Sequence, residues 1–279
     1  MSVLKQLNFH PRDENIQFIE EGHKYFILTD KNSTYKSVTT FIHSLFTPFD
    51  SDKIIEMMMK GKSWQKGHKY WNMNAEQIKY QWSNNGSNVS QLGTQLHYKI
   101  ECFMNNSSLQ ANYTHLDLLN NYYKLYEKNI ETKEWLYFLQ FVQENPLLKP
   151  YRTEWTIYND DLKLAGSIDM IYENPDKSLV IYDWKRVKKI TPVNSFNKYS
   201  TNKLICHVPD ANFWHYALQL NIYKAILEEK YNKKVVGLYL VRIHPESEEK
   251  TYELINIPFL NIEINNLFQE IKRLLLKNA

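Results

Sequence analysis

Leu164-Ala-Gly-Ser-Ile-Asp169-Met-Ile171, followed by Leu179-Val-Ile-Tyr-Asp183-Trp-Lys185, is the stretch on which the fold turns. Both runs are short and rich in β-formers, and Asn174-Pro175-Asp176 separates them, so they read as two strands of a hairpin. Turning that hairpin around Asp176 sets Asp169 directly opposite Asp183. Side chains alternate with a period of two, so Ser167, Asp169, Asp183 and Lys185 share one face. Ile168, Met170, Val180, Tyr182 and Trp184 share the other. Ile171, Leu179 and Ile181 continue the acidic face toward the turn, which makes both sides of the hairpin apolar enough to bury.

Two carboxylates paired across strands stand roughly 4.5–5.5 Å apart at Cβ and repel one another. Partial burial raises that penalty unless one is protonated or a cation sits between them. A divalent metal resolves it, because Mg²⁺ takes oxygen ligands, retains waters and accepts phosphate oxygens. Lys185, two residues past Asp183 on the same face, then stands beside the ion. There it either orients or helps deprotonate an attacking water, or steadies charge developing on phosphorus. A bare Asp-x-Lys is far more often a surface ion pair; Gly166-Ser-Ile-Asp169 upstream on an apolar hairpin shifts the balance toward a site.

Outward from the hairpin, Tyr151–Tyr158 reads as a third strand. Beyond a long loop come a helix over about 210–231, strands at Val235–Ile243 and Thr251–Ile257, and a closing helix at Asn261–Lys277. Residues 51–145 read as mostly helical. Lys53–Met59 and Ala75–Trp82 are amphipathic, Asn84-Asn85-Gly86-Ser87 marks a break, and a new helix runs from near Ser90 to Met104. Asn112–Phe141 gives one or two more helices, closed by Asn145-Pro146. Near the N-terminus, His23–Leu28 and Thr34–Ser37 around a turn at Asp30-Lys31-Asn32 read as a hairpin. Ser37 or Thr39 caps a helix through Phe41, Ile42 and Leu45 that stops near Pro48. The order predicts an α/β (α+β) core with one mixed sheet flanked by helices.

Composition sets the outer bounds. With 43% apolar and 23% charged residues over 279 positions, the chain can bury a sizeable core. Its 2 cysteines exclude a disulfide framework, a four-Cys zinc site and a four-Cys iron–sulfur cluster. No window approaches a membrane-spanning length of apolar residues, and Met-Ser-Val-Leu-Lys-Gln-Leu-Asn does not read as a signal peptide, so an intracellular protein is expected. A net charge of +3 permits a nucleic-acid ligand without demanding one. The charge is concentrated, however: Lys185, Arg186, Lys188, Lys189, Lys198 and Lys203 fall between Trp184 and Cys206 with no acid among them. The plain reading of such a run is a solvated loop.

Gly166-Ser-Ile-Asp169 with Ile181-Tyr-Asp183-Trp-Lys185 resembles the core of the PD-(D/E)XK nuclease superfamily, specifically its RecB-like exonuclease branch. Three outlying pieces are similar to the same branch. Leu92-Gly-Thr-Gln-Leu-His97-Tyr-Lys-Ile-Glu101 is like the helix whose His joins the metal site, and Glu154 stands on the strand before Asp169 where the branch often carries an acid. Gln219-Leu-Asn-Ile-Tyr223 resembles its Gln-x-x-x-Tyr helix. The N-terminal Tyr35-Lys-Ser37-Val-Thr39-Thr40 resembles the mitochondrial genome maintenance exonuclease and related viral and phage proteins. The resemblance implies a restriction-endonuclease-like core at 90–279, carrying a hairpin and helical cap region at 1–89 within one compact unit.

It further implies phosphodiester hydrolysis with one or two Mg²⁺ or Mn²⁺ ions held by Asp169, Asp183 and His97, leaving 5′-phosphates. Lys185 assists the water, and Glu154 binds the second ion or positions Lys185. Gln219, Tyr223, Arg186, Lys188, Lys189, Ser37 and Thr39 would meet the nucleic acid. The expected partner is DNA, single-stranded by preference for a strand-threading exonuclease, with RNA left open and a helicase or replication partner needed for unwinding. An endonuclease of the same superfamily and a non-catalytic nucleic-acid-binding module are the competing readings.

The residues themselves add to this. His97 and Glu101, four apart on a helix, face the same way. Imidazole is an unusual Mg²⁺ ligand and suits Mn²⁺ better. His215, Gln219 and Tyr223 form one stripe, in which a buried Gln needs amide partners.

Overall fold

The computed structural model describes residues 2–105, 113–125 and 131–277. The hairpin forms at the centre of a six-stranded mixed sheet. Strand β4 (Pro150–Asn159) runs antiparallel to β5 (Leu164–Glu173), which turns into β6 (Leu179–Lys185). Strand β7 (Val235–Arg242) lies parallel to β6, and β8 (Glu253–Asn256) closes that edge antiparallel to β7. The β6–β7 crossover is helix α7 (Asn212–Lys230), buried without a break from Ala217 to Tyr223, as the middle of a helix wedged between a sheet and its neighbours must be.

Helices cover both faces of the sheet. One core joins Ile171, Leu179 and Ile181 to α7, to α2 (Val38–His43) and to α8 (Asn261–Lys277). The other joins Met170, Tyr172, Val180, Tyr182 and Trp184 to α4 (Ala75–Met104), α5 (His115–Leu125) and α6 (Lys133–Glu144), with Leu4 of α1 (Val3–Leu7) added. Helix α3 (Ser51–Lys60) packs on α4. Among the described residues no helix is long and apolar enough to cross a membrane.

Several local expectations change. The N-terminal hairpin is made by β1 (Ile16–Ile19) and β2 (Lys24–Ile27), not by segments 23–28 and 34–37. Its turn uses Gly22 and His23, both at positive φ. The later segment instead supplies β3 (Lys36–Ser37), parallel to β5 at Leu164 and Ala165. The break expected at Asn84–Ser87 is absent: α4 is one helix of 30 residues, about 45 Å long, and it passes through positions 89 and 90. A capping box between Asn74 and Gln77 starts it, while Leu96, Ile100, Phe103 and Met104 anchor its far end in the core. Asn112, the expected start of the next helical stretch, lies outside the described residues. Ile168 belongs to the core of Ile171 rather than to that of Met170, so strict alternation is broken across Asp169, opposite which Glu154 has a left-handed backbone.

One topological feature places the site. Strand β4 occupies one edge of β5 from Leu164 to Tyr172. On the other edge, β3 pairs only at 164–165 and β6 only at 170–173. Residues 166–169, the Gly-Ser-Ile-Asp run, therefore face a gap between β3 and β6.

Candidate active site

The ladder between β5 and β6 stops at Met170 and Tyr182, and the next step would set Asp169 across from Asp183. There side chains replace strand pairing. Asp169 Oδ2 accepts the Trp184 N–H at 3.0 Å, and His97 Nε2 of α4 lies 2.9 Å from the Trp184 carbonyl oxygen. A carbonyl only accepts, so His97 carries its proton on Nε2. Nδ1 then faces the acids, 3.5 Å from Asp169 and 3.9 Å from Glu154. Glu154 adopts a left-handed backbone at φ 43°, an uncommon conformation for this residue in mid-strand, and its carboxylate accepts the Ser167 hydroxyl at 3.1 Å.

His97, Glu154 and Asp169 form a ligand group whose donor atoms all lie within 4.8 Å of one another. Asp183, expected in that group beside Asp169, is outside it: its carboxylate ion-pairs with Lys185 at 2.5 Å and is 2% exposed. The Lys185 ammonium also lies over the Tyr216 ring, 4.6 Å from its centre.

The electrostatics are those of a crowded acidic pocket. Burial pulls the His97 pKa down, but the Asp169 charge and Glu154 outweigh it and raise it to about 9. Burial and the Asp169 charge push Asp183 up to about 6 against the pull of Lys185. Asp169 is raised by burial, with His97 opposing. Lys185 is raised above its ordinary value: desolvation works against its charge, and Asp183 with Asp169 overcomes it.

The raised His97 pKa puts a second proton on Nδ1 between the acids, a proton that a bound ion would displace. With His97 then neutral and Lys185 charged, the carboxylates of Glu154, Asp169 and Asp183 leave two uncompensated negative charges, the charge a divalent ion brings. The donor set fits such an ion: carboxylate oxygens suit Mg²⁺ and Mn²⁺, and the imidazole favours Mn²⁺. The Trp184 carbonyl fixes the ring so that Nδ1, once its proton is displaced, would present a lone pair to the ion, the usual outer support of a metal-bound His. Asp183 Oδ2 is already met by the Lys185 ammonium at 2.5 Å, so any contact of Asp183 with an ion would be made beside that pair.

The other sequence-predicted residues are spread around the gap. Gln219 and Tyr223 are buried, and Gln219 Nε2 donates to the Tyr223 hydroxyl at 3.1 Å. The Tyr223 ring covers Gly166 so closely that a Cβ there would lie 2.6 Å from Cε1. Ser37, at the β3 lip, spends its hydroxyl as the cap of α2, accepting the Thr40 N–H at 3.0 Å and meeting Thr39 Oγ1 at 3.1 Å. Arg186 is held by two hydrogen bonds to Glu134 of α6. Lys188 reaches Glu246, and both it and Lys189 are exposed. His215 bonds Asp210 at 3.0 Å and lies against the Phe46 ring, tilted by 40°. Sequence reasoning missed Tyr216 and Glu134, which carry no motif, and the backbone of Trp184, which no side-chain pattern can announce.

No individual protein of curated function matches the chain. A family model, that of the PD-(D/E)XK nuclease superfamily, matches residues 75–279, from the start of α4 through every strand of the large sheet except β3, and the chain belongs to that superfamily.

Proposed function

We propose that the chain is a divalent-metal-dependent nuclease of the RecB-like branch that hydrolyses DNA, prefers single strands and works as an exonuclease in replication, repair or recombination. The observation that carries this reading is the grouping of His97, Glu154 and Asp169, with the Asp183–Lys185 pair alongside. His97, Glu154, Asp169 and Asp183 would hold one or two Mg²⁺ or Mn²⁺ ions. Such ions polarise a phosphodiester and acidify bound water. Asp169 and His97 are oriented for this by the Trp184 peptide groups, so their geometry does not depend on a flexible loop. Lys185, restrained by Asp183 and Tyr216, presents a fixed positive charge toward the negative charge that grows on phosphorus. Ser167 steadies Glu154. Residues 1–89 act as an elaboration on the core at 90–279. Unwinding of a duplex falls to a separate helicase or replication partner.

Cleavage of end-labelled single- and double-stranded DNA and RNA in Mn²⁺, Mg²⁺ or EDTA tests the reading. Asp183→Ala and Lys185→Ala are expected to abolish cleavage while binding survives. Undiminished cleavage by Asp183→Ala would falsify the site assignment. A circular single strand left intact supports the exonuclease; its cutting makes the enzyme an endonuclease.

A further inference from the structure

Outside the nuclease match lies a segment of unusual chemistry. From Met57 to Ala75 the chain carries Lys60, Lys62, Lys66 and Lys69 and no acid, interleaved with Trp64, His68, Tyr70 and Trp71. The rings form a continuous series. Trp64 lies 4.9 Å from His68 and 6.0 Å from Trp71, His68 lies 5.9 Å from Tyr70, and Tyr70 lies 6.1 Å from Trp82 of α4. Phe49 continues it 6.1 Å beyond Trp82. None of these rings is in a hydrophobic core; Phe49 is 73% and Trp71 38% exposed.

The lysines are available as well. Lys60 pairs with Glu56 and Lys79 with Asp52, which occupies the nearest acids of α3. Lys62, Lys66 and Lys69 are exposed and have no ion pair among the described residues.

The ring series ends at a cleft bordered by α7. Phe49 lines a cleft of about 1020 Å³ together with Phe46, His215, Lys53 and Lys198. The Phe46 ring lies 4.1 Å from that of His215, and Tyr216, the next residue of α7, lies under the Lys185 ammonium.

We infer that residues 61–73, with Phe49 and Trp82, form a docking surface for an unpaired nucleic-acid strand, which passes through the cleft to reach the acidic site. Exposed Phe49 and Trp71, with the half-buried rings between them, give successive bases platforms on which to stack, and lysines without an ion pair meet the phosphates, Lys69 beside the Tyr70 ring. A protein partner fits less well, because lysine is depleted where proteins bind one another. This inference rests on the nuclease reading for its destination, but the surface can be tested without catalysis.

The test is binding of fluorescein-labelled dT20 to the full chain in EDTA, across 50–300 mM KCl. Lys62, Lys66 and Lys69 changed together to Gln are expected to flatten the slope of log affinity against log salt by about 2, since each phosphate contact on a single strand contributes roughly 0.7. Phe49→Ala and Trp71→Ala are each expected to weaken dT20 binding about tenfold, with Trp71→Phe restoring most of it. With Mn²⁺ added, hydrolysis of a trinucleotide too short to span the surface keeps its parental rate in all of these variants. Parental affinity and slope in the lysine and Phe49 variants, whose side chains are exposed and not needed for folding, overturn the inference and point to a protein occupant. Failure of the parent to cut any strand sinks the nuclease reading instead and leaves the binding result to judge the surface.

Discussion

Gly166→Ala is the sharpest probe of how the core meets the site. A Cβ at this position would lie 2.6 Å from Tyr223 Cε1, 3.0 Å from its hydroxyl oxygen and 3.2 Å from Cζ, where carbon atoms prefer roughly 3.5–4.0 Å. Neither partner can yield easily. Tyr223 is 3% exposed and its hydroxyl is held by Gln219, while Gly166 is paired with Ile157 of β4. Overpacking of this kind costs about 1–3 kcal/mol, and removing a glycine from the unfolded chain returns about 0.4–1 kcal/mol. The expected net loss is about 1–2 kcal/mol, read as a lower urea midpoint. Repeating the substitution in a Tyr223→Leu background removes the ring, so Gly166→Ala should there become neutral or slightly stabilising. An equal penalty in both backgrounds would refute the close-approach argument, because the cost would then come from the backbone.

Three further outcomes follow from buried and half-buried polar groups. Burial at 0% exposure depresses His115 to about 3, so the unfolded chain takes up a proton near pH 6.5 that the folded chain refuses. Stability is therefore intact above that pH and falls as pH drops from 6.5 toward 3, by about 2 kcal/mol at pH 5, and His115→Gln should flatten urea midpoints between pH 7 and 5. Asp13 accepts from buried Arg152 at 2.7 Å and from the Trp155 indole at 2.7 Å, so Asp13→Ala strands a guanidinium and should cost about 3–5 kcal/mol in the same assay, against well under 1 kcal/mol if the pair were unimportant. His97→Ala removes the donor to the Trp184 carbonyl and should cost about 1–3 kcal/mol, whereas His97→Gln retains a donor and should cost less. Both should lose any rise in melting temperature produced by Mn²⁺; a rise that survives in both would remove His97 from the ion's ligands.

The hairpin register was legible because period-two alternation and the Asn174-Pro175-Asp176 turn both act locally, and Ile171 with Ile181 pair as the pattern requires. The approach of His97 and Glu154 to Asp169 came only with the family resemblance, since nothing local ties residue 97 to residue 169. The N-terminal hairpin was misread because two turn-like clusters compete. Glu20–His23 closes the hairpin, while Asp30–Asn32 leads instead to a parallel pairing in which the Lys36 N–H donates to the Lys163 carbonyl, a partner far along the chain. The unbroken α4 illustrates tertiary context overriding propensity: Gly86 costs about 1 kcal/mol in a helix, less than packing at both ends supplies. Asp183 and Lys185 share the face that alternation gives them, but a face does not say whether the Asp183 carboxylate meets Lys185 or the ligand group, and in the fold it meets Lys185.

The gap between β3 and β6 is what holds the site in place. A continuous partner for β5 at residues 166–169 would have used the Trp184 N–H and carbonyl in ordinary ladder bonds. The gap leaves these groups free of strand partners in a buried setting, where an unmade hydrogen bond is costly. Asp169 and His97 satisfy them, and in doing so each is fixed in orientation by rigid sheet backbone. Tyr223 covers the other end of the gap over Gly166, which brings the Gln219 stripe against the same strand. Fold and site therefore share their hydrogen bonds. Substitutions at the ligands should move stability and ion binding together, and changes that preserve a donor or acceptor to Trp184 are the ones able to separate the two.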